Sequence, residues 1–176
     1  MTSSATFNPS KSPNYGFLPP ESPSPNLQAF LSYISAVHTL DTEVIIKHFD
    51  DSLEHRIIPN SLGRPVLNKK QYAEYVRGAV KFFKWVKLTI NQVIEADDIL
   101  TAHLSSVGES ICGTPYSNEL VLIFHYVPAP SDVGPDALPR VHYAKEFVDS
   151  ATITKFYSEE RVKMIKMEVA KQKSQR

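Results

Sequence analysis

The apolar positions of this chain follow two periods, and the change falls near Trp85. Before it the spacing is helical. Leu27, Phe30, Leu31, Ile34 and Val37 share one helical face, which predicts a helix from Asn26, the expected N-cap, to about Leu40. Asp41 or Thr42 caps a short second helix that carries Val44, Ile45, His48 and Phe49 and ends at Asp50-Asp51. Leu53–Ile58 reads as a short strand stopped by Pro59, followed by a loop with Gly63 and Pro65. Asn68 caps a third helix from Lys69 to about Phe83, striped by Tyr72, Tyr75, Val76, Ala79 and Phe83. From Trp85 the pattern alternates and is rich in β-branched residues. It predicts strands at Trp85–Glu95, Ile99–Ser110, Glu119–Val127 and Val141–Tyr157, with a hairpin turn at Ala96-Asp97-Asp98. Ser158–Lys173 reads as a charged helix or frayed tail. Pro128–Arg140, with four prolines, is an exposed loop placed where a lid would sit.

Helices first and strands afterwards predict an α+β fold rather than a parallel βαβ sheet. The expected form is a cone: a curved antiparallel sheet of about four long strands closed by three helices. Ligand sites favour such concave apolar interiors.

Composition narrows the class. Residues 1–25 hold six of the thirteen prolines and six serines, so a disordered tail is expected there. The folded domain then covers 26–160, with a charged helix or tail at 161–176. Nineteen basic and nineteen acidic residues cancel, which gives no sign of nucleic acid or a membrane surface as partner. The single cysteine, Cys112, excludes an internal disulfide framework and a multi-thiolate zinc site. It also lacks the His–Asn context of a nucleophile. No apolar run approaches the ~18 residues of a membrane span, and no signal-peptide pattern opens the chain. A soluble, cytoplasmic protein is the expectation.

Two segments put polar groups where strands should be buried: Gly113-Thr-Pro-Tyr-Ser-Asn-Glu119 and Lys145-Glu-Phe-Val-Asp-Ser150. Buried carboxylates are costly unless paired or used, so these segments hold the candidate chemistry. Alternation constrains it. Glu146 shares a strand face with Ala144 and Val148, and Asp149 shares one with Phe147 and Tyr143. A regular strand points one of the two inward. Glu119 sides with Val121, Ile123 and His125; the other face carries Leu120, Leu122, Phe124 and Tyr126. By the same rule one of His55 and Arg56 faces inward. His103 and His125 fall on neighbouring strands, but no His-Glu-x-x-His spacing accompanies them, and they read as satisfied sheet histidines. His38 and His48 read as packing or surface residues. Without that spacing no metal is expected, and no nucleotide either, since no glycine-rich phosphate loop precedes a helix.

Four local patterns, taken in order, resemble the SnoaL-like branch of the nuclear-transport-factor-two-like superfamily, in its small fungal form. They are Phe49-Asp50-Asp51 through Ile57-Ile58-Pro59, the turn at Glu95-Ala96-Asp97-Asp98, Gly113 to Glu119, and Glu146 to Ser150. The resemblance covers about 26–157. It implies a cofactor-independent acid–base enzyme (isomerase, cyclase, dehydratase or epoxide hydrolase) acting on a hydrophobic small molecule in fungal secondary metabolism. It also implies a homodimer packed through the outer sheet face. The alternatives are a non-catalytic ligand-binding or dimeric module and a nuclear-transport-like adaptor.

The resemblance implies an acidic catalytic residue on the last strand, inside the cone. Glu146 is the first choice, with Asp149 and Glu119 as competitors. Tyr116 is a candidate donor to a substrate oxygen. His55 is a candidate acid or base, and Arg56 a candidate cation for a developing oxyanion. Tyr33, Trp85, Phe124 and Tyr126 are candidate wall residues.

Overall fold

A computed structural model describes residues 16–129, 134 and 137–174. The expected disordered tail falls mostly on 1–15, outside the described residues, as do 130–133, 135 and 136 of the expected lid. The backbone N–H of Phe17, within the expected tail, donates to the carbonyl of Ile90 (3.2 Å), and its side chain packs on the core.

Helix α1 (Pro25–His38) is capped by Ser24 rather than Asn26: Ser24 Oγ accepts from the Leu27 N–H at 3.0 Å, with Pro25 at the first helical position. The Asn26 amide instead donates to the Asp97 carbonyl, tying α1 to a hairpin turn. Helix α2 (Thr42–Ile46) is capped by Asp41. It stops before Phe49, because the His48 carbonyl accepts from the Val141 N–H at 2.9 Å and draws the chain into strand β1 (Phe49–Ile58). A 3-10 turn (Asn60–Leu62) leads to α3 (Lys69–Val80), whose Asn68–Gln71 capping box satisfies both end groups. Strands β2 (Phe83–Ala96), β3 (Ile99–Ser110), β4 (Pro115–Val127) and β5 (Arg140–Val148) follow.

The sheet order is β1-β5-β4-β3-β2. Strands β2 to β5 pair antiparallel, and β1, longer than the expected Leu53–Ile58, adds a fifth strand parallel to β5. The sheet is curved, mixed and unclosed, with the helices on its concave side: the α+β cone.

The last strand is shorter than alternation predicts. It ends at Val148, and residues 150–174 form helix α4. Asp149 makes the break: its Oδ1 accepts from the N–H groups of Ala151 and Thr152, and its Oδ2 from the Thr152 hydroxyl. That N-cap overrides the β-branched run Thr152-Ile153-Thr154. Helix α4 then docks through Phe156 on Phe83 (ring centroids 5.4 Å apart) and Tyr157 on Phe82 (5.0 Å).

Phe124 is the centre of the core. Its ring lies 5.3 Å from Tyr33 and 6.0 Å from both Phe30 and Phe49, and all four are buried. Sequence pattern proposed Phe124 as a wall for substrate; the structure packs it behind the wall. Phe124→Ala is therefore expected to cost about 3–5 kcal/mol of stability. Urea denaturation measures this, and a small loss there would return Phe124 to the list of binding residues.

Candidate active site

The inner face of the sheet and helices α1, α3 and α4 enclose a cavity of about 150 Å³. Most of its wall is aliphatic or phenylalanine, from Val37, Ile45, Val76, Phe83, Leu88 and Leu120 among others. Its polar groups are few: the hydroxyls of Tyr33, Tyr72, Tyr75, Tyr116 and Tyr157, with Ser106, Asn118 and Glu146. Glu146 is the one carboxylate on the wall, and no lysine or arginine lies there among the described residues. Two larger clefts, of about 440 and 530 Å³, lie outside the cone, at the start of α3 and around the β2–β3 turn. Both are more open to solvent than the cone.

Glu146 reaches the wall because its strand alternates as expected: Ala144 and Val148 on the same face are buried. Its neighbour is His55. Parallel pairing of β1 and β5 sets His55 beside Ala144 and Ile57 beside Glu146. His55 Nε2 then stands 3.3 Å from Glu146 Oε2. The His55 side chain is 1% exposed and that of Glu146 16%, so the carboxylate is the member that a ligand can touch. His55 is fixed on three sides. Its ring stacks on Tyr72 (4.1 Å, 20°), and its backbone exchanges hydrogen bonds with Leu67 at 2.8 and 2.9 Å. Its Nδ1 is buried without a partner. A proton on Nε2 faces the carboxylate, whereas one on Nδ1 would be stranded.

The tyrosines are held neutral. Burial, with Glu146 nearby, pushes Tyr33, Tyr75 and Tyr157 well above the ordinary phenol range. Tyr72 is raised chiefly by burial as well. Tyr116 is pushed up to about 12 by burial, against a lowering hydrogen bond from Asn118. All can donate an O–H at neutral pH.

Of the other sequence candidates, Tyr33 and Tyr116 line the cavity and the rest do not. Asp149 is the cap of α4; hydrogen bonds from Thr152 hold its carboxyl below the usual range. Glu119 is on the outer sheet face, where its carboxylate meets His103 Nε2 at 2.5 Å. Arg56 faces outward beside Glu54, its guanidinium over the Tyr143 ring. Trp85 is 44% exposed. Tyr126 is core, its hydroxyl buried at the end of the cone away from Glu146's wall. The sequence reading assigned Tyr72 and Tyr75 to a packing stripe, Tyr157 to a strand, and Asn118 and Ser106 no role. The available signal was tyrosine, rather than leucine, on the inward stripe of α3.

No family model matches the sequence, and none of the curated proteins does. Solved structures do match. AusH from Aspergillus nidulans superposes with a TM-score of 0.60 at 22% identity, covering 74% of this chain and 88% of that one. BvnE pinacolase from Penicillium brevicompactum gives 0.63 at 20%, over 80% and 96%. A protein from Jannaschia described as a SnoaL-like polyketide cyclase gives 0.58 at 10%, over 74% and 89%. The chain has the SnoaL-like, nuclear-transport-factor-two-like fold. At these identities the likeness concerns the fold. A SnoaL-like cone supports many chemistries, so activity has to be argued from the wall itself. Here that wall presents Glu146, backed by buried His55, among tyrosine hydroxyls.

Proposed function

We propose that this chain is a cofactor-independent enzyme that moves a proton within a neutral, oxygen-bearing hydrophobic metabolite: an isomerase or cyclase. The observation that carries this reading is Glu146, beside buried His55, on an otherwise apolar, tyrosine-lined wall. Glu146 takes a proton from substrate carbon and returns it to another atom of the same molecule. His55 Nε2 holds the carboxylate in place. Tyr116 donates to the substrate oxygen where negative charge develops. The apolar walls keep water out and strengthen each of these contacts. A cavity without a cation suits an uncharged ligand. The names of two of this chain's neighbours in fold, a pinacolase and a polyketide cyclase, support an enzyme acting on natural-product carbon skeletons. A homodimer through the outer sheet face belongs to the same reading; Trp85, Val107 and Phe147 are exposed.

The alternative is a ligand-binding module of the same fold. Neutral, oxygenated fungal metabolites are screened for those that raise the melting temperature. Each binder is then incubated in heavy water and weighed by mass spectrometry. Deuterium incorporation or isomerisation is expected; binders that neither exchange nor change would make the protein a carrier.

A further inference from the structure

Tyr116 and Asn118 are two residues apart on β4 and both face the cavity. Asn118 is buried, and its amide makes two hydrogen bonds with opposite roles. Its Oδ1 accepts from the Glu119 backbone N–H at 2.7 Å. Its Nδ2 donates to the Tyr116 hydroxyl oxygen at 3.2 Å. The first bond fixes the second. A backbone N–H can only donate, so the atom facing it must be the amide oxygen, and the amide cannot be flipped. The nitrogen therefore faces Tyr116, and Tyr116 accepts.

A phenol that accepts from one side must send its own proton elsewhere. Phe83 packs on the ring at 5.0 Å and Phe156 at 4.7 Å, and among the described residues no protein group accepts the Tyr116 proton. The residue lines the cavity, where a ligand can accept it. We infer that Asn118 is a positioning residue: it turns the Tyr116 O–H into the cavity, so that the substrate atom opposite is a hydrogen-bond acceptor, as a carbonyl or epoxide oxygen is. This deepens the proton-transfer reading and rests on it for the substrate, but the direction of the Tyr116 proton can be measured without turnover.

The charged and titratable groups around Tyr116 are Glu146 on β5, Asp149 at the head of α4, Tyr157 on α4 and Tyr75 on α3. None of them changes in the following test. Tyr116 is replaced by 3,5-difluorotyrosine, whose phenol ionises in the neutral range, and its 19F signal is titrated. Asn118→Asp keeps the acceptor for the Glu119 N–H but puts an acceptor where the donor was. The phenol proton is expected to turn to Asp, and the midpoint to rise clearly above that of the wild type. Asn118→Ser also accepts from Glu119 but cannot reach the phenol; it should raise the midpoint less and serves if the Asp variant folds poorly. Equal midpoints in wild type and variant overturn the inference. Cyclohexanone at saturation is then added below the midpoint. It should move the 19F signal in wild type and not in Asn118→Asp, and no movement in wild type overturns the ligand class. Loss of the acid–base role would appear separately, as full turnover in a Glu146 variant with these 19F results intact.

Discussion

A Glu146→Gln variant is expected to lose roughly 10²- to 10⁴-fold in turnover, the range for removing a positioned general acid or base. Its melting temperature should be nearly unchanged. Glutamine has the same shape, and its amide oxygen can still face His55 Nε2 across the 3.3 Å gap. What it lacks is a site for a proton taken from carbon. The comparison that gives this result meaning uses the other two carboxylates of the polar segments. Glu119→Gln touches an exposed pair with His103 on the outer face and should leave turnover alone. Asp149→Ala removes a helix cap and should cost about 1 kcal/mol of stability. Steady-state kinetics and thermal melts on the three variants separate the roles. Full activity in Glu146→Gln would sink the acid–base assignment.

Glu160→Gln is expected to destabilise the protein by roughly 3 kcal/mol at neutral pH. Glu160 is fully buried where α4 meets the β3–β4 hairpin. Its Oε1 accepts from the Thr114 hydroxyl at 2.5 Å and from Lys163 Nζ at 2.8 Å. Burial alone would raise its pKa, but hydrogen bonds from Lys163, Ser110 and Thr114 outweigh burial and bring it from 4.5 down to about 2. A depressed carboxyl stabilises the folded state above its unfolded pKa, and that stability is lost as pH falls through the folded one. The wild type should therefore lose this contribution between about pH 4.5 and about pH 2. Urea denaturation across that window should bring the two proteins' stabilities together; a constant gap would mean that Glu160 does not act through its charge. The effect reaches the cavity, because the same helix contributes Ile153 and Tyr157 to the wall.

Local signals read well from this chain. Ile99–Ser110 is a strand with the predicted bounds, Asn68 and Asp41 cap their helices, and Asp97-Asp98 make the turn. Strand parity was informative for the candidate site too. It required one of Glu146 and Asp149 to face inward, and one of His55 and Arg56. It does not give depth along the cone. Leu122 lines the cavity, while Phe124, two residues further on the same face, is core. Nor does any local pattern pair β1 with β5, since the residues that meet lie about ninety positions apart. The switch from strand to helix at Asp149 was hidden for another reason. Strand propensity in Thr152-Ile153-Thr154 is a weak preference, and three hydrogen bonds to one carboxylate outweigh it.

The place of β5 between β4 and β1 also sets a schedule for the growing chain. Helices α1 to α3 and the hairpins of β2, β3 and β4 have all left the ribosome before Arg140 appears. Until then β1 has no strand beside it, because its neighbour in the sheet is β5 alone. His55 waits, synthesised early, for a partner made near the end. The proton-handling pair is thus assembled at the closing step of folding, and a nascent chain stopped before residue 140 carries much of the cone's wall and His55 but lacks the carboxylate of the pair.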